Sequence, residues 1–348
     1  MLKQFACLIA GLCIASLLCT GCASKWSLNL EAGNAAPQWR DDANMPRAAY
    51  IESIRGFKET GTSASNILRY LVFGRRPEDN AIVRPVASAV GNDDRIAIAD
   101  TGSPCVHLYI PSEYKYLKIS EAGTDALKTP VSVAFDDALR LYVSDSSNHA
   151  IYVFGPAGEH LYTLKKAGND PLQRPTGLAF SSRDRILYAV DTLANRVHAF
   201  TTKGEFLYSF GEPGNDKGQL NYPTHIFVAP DGSLYVIDSM NFRVQVFNAR
   251  GSFLFSFGHH GNGSGDLAMP KGLVVDRQGV IYVVDTLFDN VQLFDRSGAF
   301  LFTIGGRGYG AGEFSMPSGL FLDRKERLYV CDTYNQRVQI FQLLKGEK

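Results

Sequence analysis

From about residue 48 onward the chain alternates between short apolar stretches and clusters of turn-forming residues, and the alternation recurs at a fixed period. Proline at 85, 130, 175, 223, 270 and 317 opens one apolar stretch, as in Pro175-Thr-Gly-Leu-Ala-Phe180 and Pro270-Lys-Gly-Leu-Val-Val275. Aspartate at 100, 145, 191, 238, 285 and 332 closes a second, as in Leu234-Tyr-Val-Ile-Asp238 and Ile281-Tyr-Val-Val-Asp285. Nine residues after each aspartate stands an aromatic: Tyr109, Phe154, Phe200, Phe247, Phe294 and Phe341. The period is 45 to 48 residues. Each period holds four strand-length segments separated by turn residues. The third is of the type Val244-Gln-Val-Phe247 and the fourth of the type Ser252-Phe-Leu-Phe-Ser-Phe-Gly258. The first two are apolar almost throughout, so both of their faces must be covered. Four strands covered on both faces and repeated in this way predict an all-β, six-bladed β-propeller of four-stranded antiparallel blades.

The ends of this pattern predict how the ring closes. The sixth repeat reaches its third strand at Phe341 and is followed by little more. Near the start, Tyr50-Ile-Glu-Ser-Ile-Arg-Gly56 has the form of a fourth strand. An N-terminal strand completing the last blade would hide two edges that otherwise invite aggregation. The propeller is therefore expected over 48–348. Ahead of its first blade an insertion reads as a short helix over about 63–74, capped by Ser65 and ended by Gly74, lying over one end of the ring.

The first 47 residues carry no such pattern. Lys3 precedes an apolar run from Phe5 to Leu18, which is the form of an export signal. The run ends at Cys19-Thr20-Gly21-Cys22-Ala23-Ser24, which resembles the bacterial lipobox, with Cys19 where leucine is usual. That resemblance implies a lipoprotein signal peptide over 1–21 and a lipid on Cys22. With Ala23 and Ser24 following, it implies sorting to the outer membrane of a bacterial envelope, facing periplasm or exterior. Residues 22–47, with Gly33, Asn34, Pro37, Asp41, Asp42, Asn44 and Pro46, read as a tether. Trp26 and Trp39, the only tryptophans, lie in it and are expected to dock on the domain rather than on a membrane.

Charge adds little direction. Lysine plus arginine and aspartate plus glutamate number 35 each, so no global field recruits nucleic acid. Once the signal and Cys22 are set aside, only Cys105 and Cys331 remain. They belong to blades that are neighbours in a closed ring, although their positions in the repeat differ. Two cysteines are no disulfide framework, and packing must hold the fold.

The repeat resembles the NHL family. The residues that carry the likeness are Pro-x-Gly-Leu at the first strand, Asp332-Thr-Tyr-Asn-Gln-Arg-Val-Gln-Ile-Phe341 and Asp238-Ser-Met-Asn-Phe-Arg-Val-Gln-Val-Phe247. The first blade, with Asp100-Thr-Gly-Ser-Pro-Cys-Val-His-Leu-Tyr109, departs most. Some propellers of this family are lyases whose metal is held by histidines around the channel, four residues after each blade's aspartate. Here that position holds Pro104, His149, Asn195, Phe242, Asp289 and Gln336, so only one ligand is supplied where a catalytic zinc needs three. No metal or other cofactor is expected.

The aspartates Asp100, Asp145, Asp191, Asp238, Asp285 and Asp332 recur in every blade and read as structural acceptors for turn amides. Arg196, Arg243 and Arg337 share the position five residues later and could line one face or pair with a neighbouring blade. His225 stands where other blades have Gly177, Gly272 and Gly319, and is expected near the channel mouth with Thr224 and Lys271 as a satisfied surface histidine. The Gly-rich stretches 258–265 and 305–312 lack the Lys-Ser/Thr of a phosphate loop and read as crossovers between blades. The reading is a non-enzymatic binding or scaffold propeller, monomeric and lipid-anchored. It would engage a protein, peptide or small ligand of the cell envelope on one face formed by His225, Thr224, Lys271, His149, Arg196, Arg243 and Arg337. The alternative is a metal-dependent lyase or lactone hydrolase working at the central channel.

Overall fold

Proline has no N–H to give a strand ladder, whereas an aspartate carboxylate accepts from several turn amides at once. The two together form the corner at which every inner strand begins. A computed structural model describes residues 25–33, 37–41, 45–60 and 80–344. In blade 1 the amides of Val83 and Arg84, just ahead of Pro85, donate to Asp100 at 2.7 and 2.9 Å. Gln173 and Arg174 do the same to Asp191 ahead of Pro175, and Ala268 and Met269 to Asp285 ahead of Pro270. In blades 4 and 6 one amide of the pair goes to the aspartate and the other to the preceding blade. Asn221 donates to Asp238 and Tyr222 to Asn195; Ser315 donates to Asp332 and Met316 to Asp289.

Five sheets have four antiparallel strands in chain order. Blade 1 consists of Pro85–Val90, Ile96–Asp100, Cys105–Ile110 and Lys115–Ile119. Blades 2 to 5 repeat this over 130–164, 175–210, 223–257 and 270–304. The sixth blade has Leu320–Leu322, Arg327–Asp332 and Arg337–Leu343, and its fourth strand is Pro46–Thr60 from the start of the chain. Tyr50 pairs with Phe341 and Ile54 with Val338, so the ring closes through the N-terminal strand.

Closure is equally plain in the packing. The buried side chains form six clusters, one between each pair of successive blades. The cluster with Ile54, Phe57, Ile98, Tyr329 and Cys331 joins blade 6 back to blade 1. Burying one large apolar side chain stabilises by about 1.5–3 kcal/mol, so packing is the main hold at each interface. Cys105 and Cys331 are both buried free thiols on different strands, and no bond joins them.

Part of the segment expected to be a tether is sheet. Lys25–Ala32 and Gln38–Arg40 pair with the closing strand, as does Asn80–Ala81, giving the sixth sheet seven strands. The physical reason is the outer edge of Pro46–Thr60, which offers unpaired backbone groups and apolar neighbours. Trp26 packs on Tyr116 with ring centroids 4.9 Å apart, and Trp39 packs edge-on to Phe341 at 5.4 Å. The signal over 1–21, Cys22 and the helix expected over 63–74 lie outside the described residues.

The Gly-rich stretches run from the fourth strand of one blade to the first of the next. Each folds back on itself, with Gly258 at φ +87° where a side chain would be strained. Leu220, Leu267 and Phe314 plug these turns into the core. The crossovers and the aspartate turns share one face of the disc, here the aspartate face.

Candidate binding site at the mouth of the channel

The aspartate carboxylates are almost wholly buried. Besides the amides ahead of each proline, most accept from the turn that follows. Asp100 takes the amide of Gly102 at 2.8 Å, and Asp145 those of Ser147 and Asn148. Burial pushes Asp100 and Asp191 upward, but hydrogen bonds from His107 or His198 and from the turn amides outweigh it and hold both below the usual carboxylate range. At Asp332 burial prevails over the Ser315 amide and Arg337, and its carboxyl is raised. All six sit under the turns, away from the channel lining.

Above them the mouth is stitched by hydroxyls. The residue after the aspartate is Thr or Ser, and in blades 3 to 6 it donates to the carbonyl of the next blade's proline. Thr192 reaches Pro223 at 2.7 Å, Thr286 reaches Pro317 at 2.7 Å and Thr333 reaches Pro85 at 2.8 Å. Thr224 and Ser239 bond each other at 2.7 Å. The bonds to the proline carbonyls run from blade to blade, and the Thr224–Ser239 bond lies within blade 4.

One position further along the inner strands the blades approach so closely that a side chain barely fits. A Cβ on Gly272 would lie 2.5 Å from the Ser318 carbonyl oxygen, and one on Gly319 2.4 Å from that of Val86. His225 occupies this position in blade 4. It is no surface histidine: its ring lies across to blade 5, where Nε2–H donates to the Leu273 carbonyl at 3.0 Å. Burial depresses its pKa to about 4, partly opposed by that carbonyl, so it is neutral at ordinary pH.

The channel itself holds about 910 Å³ and runs from the aspartate face to the opposite mouth. Half-buried Phe135, Phe180, Phe227 and Phe321 line its inner stretch. Thr224, His225 and Lys271 line it together, as the sequence placed them, and Arg174 joins them. Lys271 is exposed to the channel beside a partly desolvating wall; desolvation first, then the Arg174 cation, lower its pKa. The carboxylates on the lining, Asp94 and Asp323, stand at the far mouth, where Lys325 bonds Asp94 at 2.8 Å and Arg327 bonds Asp323 at 2.6 Å.

The other residues named from the sequence do not join this group. Arg243 and Arg337 belong to the fold rather than to a binding face. Each donates Nε to its own blade's aspartate at 2.8 Å and its terminal nitrogen to crossover carbonyls, those of Asp216 and Gln219 or Gly310 and Glu313. Their partners lie in the same blade and in the crossover entering it, so no neighbouring blade is needed to spend the guanidinium. Arg196 is exposed on the aspartate face, off the channel lining. His149 is exposed in its turn and its Nδ1 meets the Gln173 carbonyl, far in role from a channel ligand. Among the described residues no three His, Cys, Asp or Glu side chains gather as a metal site.

Two features escaped the sequence reading. Gln245 and Gln339, in the recurring Val-Gln-x-Phe, donate to Asp238 and Asp332 at 3.0 and 2.9 Å. The recurrence of that glutamine was the available signal. The second is an apolar rim around one side of the mouth: Leu193, Tyr222, Met240, Met269, Leu287 and Tyr334 are all exposed on the turns of blades 3 to 6. The corresponding turns of blades 1 and 2 carry Gly102 and Ser147 instead.

Residues 215–286 and 272–347 match a family model described as a 6-bladed beta-propeller. No curated protein matches this sequence. Among solved structures the chain is similar to a gluconolactonase from Xanthomonas campestris, with TM-score 0.59 and 17% identity over 89% of this chain and 99% of that one. It is similar to virginiamycin B lyase from Staphylococcus aureus, with TM-score 0.57 and 13% identity over 76% and 97%. An auxiliary nutrient binding protein from Bacteroides thetaiotaomicron gives TM-score 0.58 and 12% identity over 77% and 71%. At such identities the likeness establishes the propeller fold and leaves function to the site.

Proposed function

We propose that this propeller, of NHL type, is a non-enzymatic binding module of the bacterial cell envelope. It is exported, held at a membrane by lipid on Cys22, and takes a protein, peptide or small ligand on its aspartate face. The observation that carries this reading is the mouth. A 910 Å³ channel opens there beside an apolar rim contributed mainly by blades 3 to 6, while the six carboxylates beneath are engaged by turn amides and side chains. Wide, largely apolar openings with a few polar groups suit capture of a ligand. An exposed apolar rim of this kind suits contact with a partner.

The test is positional. A photo-crosslinking amino acid at Leu287 or Tyr334, on the rim, is expected to give a discrete adduct in intact cells. The same group at Ser297, exposed on the opposite face, is expected to give none. Adducts of equal yield from both faces would remove the face from the proposal.

A second reading has one observation on its side. His225 and Lys271 stand in the channel, and two of the fold neighbours are a lyase and a gluconolactonase. An enzyme working there, metal-dependent or hydrolytic, would need His225 for it. Stoichiometric zinc or calcium in the purified chain, lost in His225→Ala, would favour the enzyme.

A further inference from the structure

The carboxylates on the channel lining all stand at the far mouth, beside Lys325 and Arg324, and the mouth on the aspartate face is lined by cations alone. At the far mouth each lining carboxylate has its cation, Asp94 with Lys325 and Asp323 with Arg327. At the aspartate face Arg174 and Lys271 line the wall with no Asp or Glu among the lining residues on that side. Among the described residues neither side chain makes a hydrogen bond or an ion pair. Arg243, Arg337, Arg140 and Lys165, by contrast, each meet a carboxylate. Two like charges near each other in a partly desolvated wall repel, and an anion placed between them relieves both.

What lies below them sets the rest of the ligand. The mouth hydroxyls of Thr192, Thr286 and Thr333 are committed to backbone carbonyls, and His225 has spent its Nε2–H on Leu273. The donors that remain on the lining include the hydroxyls of Ser88, Ser132 and Ser146 and the Asn92 amide. The wall further in is aromatic, with Phe180, Phe227 and Phe321 half-exposed to the channel. An apolar body is rewarded there and a polar one is not.

We propose that the arc of the mouth formed by blades 3 to 5 is a carboxylate subsite, in which Arg174 and Lys271 receive the acid group of a ligand whose apolar body lies along Phe227 and Phe321. This rests on the reading that the aspartate face takes ligand, and it names the class of ligand. Binding is noncovalent. The carboxylate also raises the lowered pKa of Lys271, so affinity falls as pH rises through that value.

The experiment uses the full chain and three probes of one shape: 4-phenylbutyrate, 4-phenylbutanol and 4-phenylbutylamine, titrated calorimetrically. The acid is expected to bind one per chain, the alcohol about tenfold more weakly and the amine not measurably; loss of one charge-assisted hydrogen bond is worth about that factor. Lys271→Met and Arg174→Met are each expected to lose about tenfold for the acid, with the alcohol unchanged. Lys271→Arg keeps the affinity and loses the fall at high pH. Unchanged melting temperatures show that the variants are folded. Equal affinity for acid and alcohol, indifference to both Met variants, or tight binding of inorganic phosphate alone would each overturn the subsite. The crosslinking pattern would still stand in the first two cases, since it depends on the face and not on the anion. Absence of binding by all three probes also overturns it.

Discussion

His225 is the residue in which the inner strands depart most from their repeat, and its environment makes a measurable claim. Its pKa falls from 6.5 to about 4 because the half-buried ring is desolvated against blade 5. Between those values an unfolded chain binds the proton and the folded one does not, so acid favours unfolding. The contribution is whole above about 6.5 and is lost progressively as pH falls to about 4, amounting to about 3 kcal/mol in all. In denaturant titrations His225→Ala is expected to lose about 2 kcal/mol less than the parent between pH 7 and pH 5. An equal loss in both proteins would contradict the buried neutral ring. The two remaining thiols make a second claim. Burial raises Cys105 to about 11 and Cys331 to about 12, so at pH 8 a thiol reagent should leave their peptides unmodified until the protein is unfolded. Labelling of either in the native protein would count against the packing between blades 6 and 1.

At this scale the sequence was informative where a residue recurs and silent where it varies. The aspartates could be placed because they repeat with the proline. Arg174 could not, since its position is Arg84, Thr129, Tyr222, Met269 or Met316 in other blades, and nothing in a spacing tells which of them reaches the channel. The shared position of Arg243 and Arg337 put them on one face but could not tell that their donors are already used.

At the scale of elements the closing strand bears most. Pro46–Thr60 pairs on one side with Arg337–Leu343 and on the other with Lys25–Ala32. Deleting residues 48–56 is expected to abolish soluble protein, because the edge of blade 6 and the cluster around Ile54 and Phe57 are lost together. A truncated chain that stays soluble and melts cooperatively at the parent temperature would refute this. The outer strand contributes less: Trp26→Ala removes the contact with Tyr116 and is expected to cost about 1–3 kcal/mol in equilibrium unfolding. No measurable change would mean that Lys25–Ala32 does not dock. Gly272→Val, by contrast, would drive side-chain atoms into the Ser318 carbonyl and should prevent the blades from closing. The closing strand was legible because it matches the fourth segment of the other blades. Lys25–Ala32 was not, although Trp26, Leu28 and Leu30 alternate, since a single short alternation without a repeat looks the same as a tether.

For the whole molecule, six interfaces of one kind leave a hollow axis, and function lies in how the ring breaks its own symmetry. Blades 3 and 5 put Arg174 and Lys271 on the channel lining and blades 3 to 6 bring most of the exposed apolar turns, while blade 1 adds Val83 and Arg84, whose guanidinium lies over the Tyr334 ring. That asymmetry has meaning only on a closed ring, since an opened one has no mouth. Hydrogen–deuterium exchange on the full chain tests this most directly. Residues 48–54 and 338–343, some three hundred positions apart in sequence, are expected to be protected to the same degree and to lose protection together when denaturant is added. Rapid exchange of 48–54 while 338–343 and the other blades stay protected would contradict the closed ring and the channel mouth built on it.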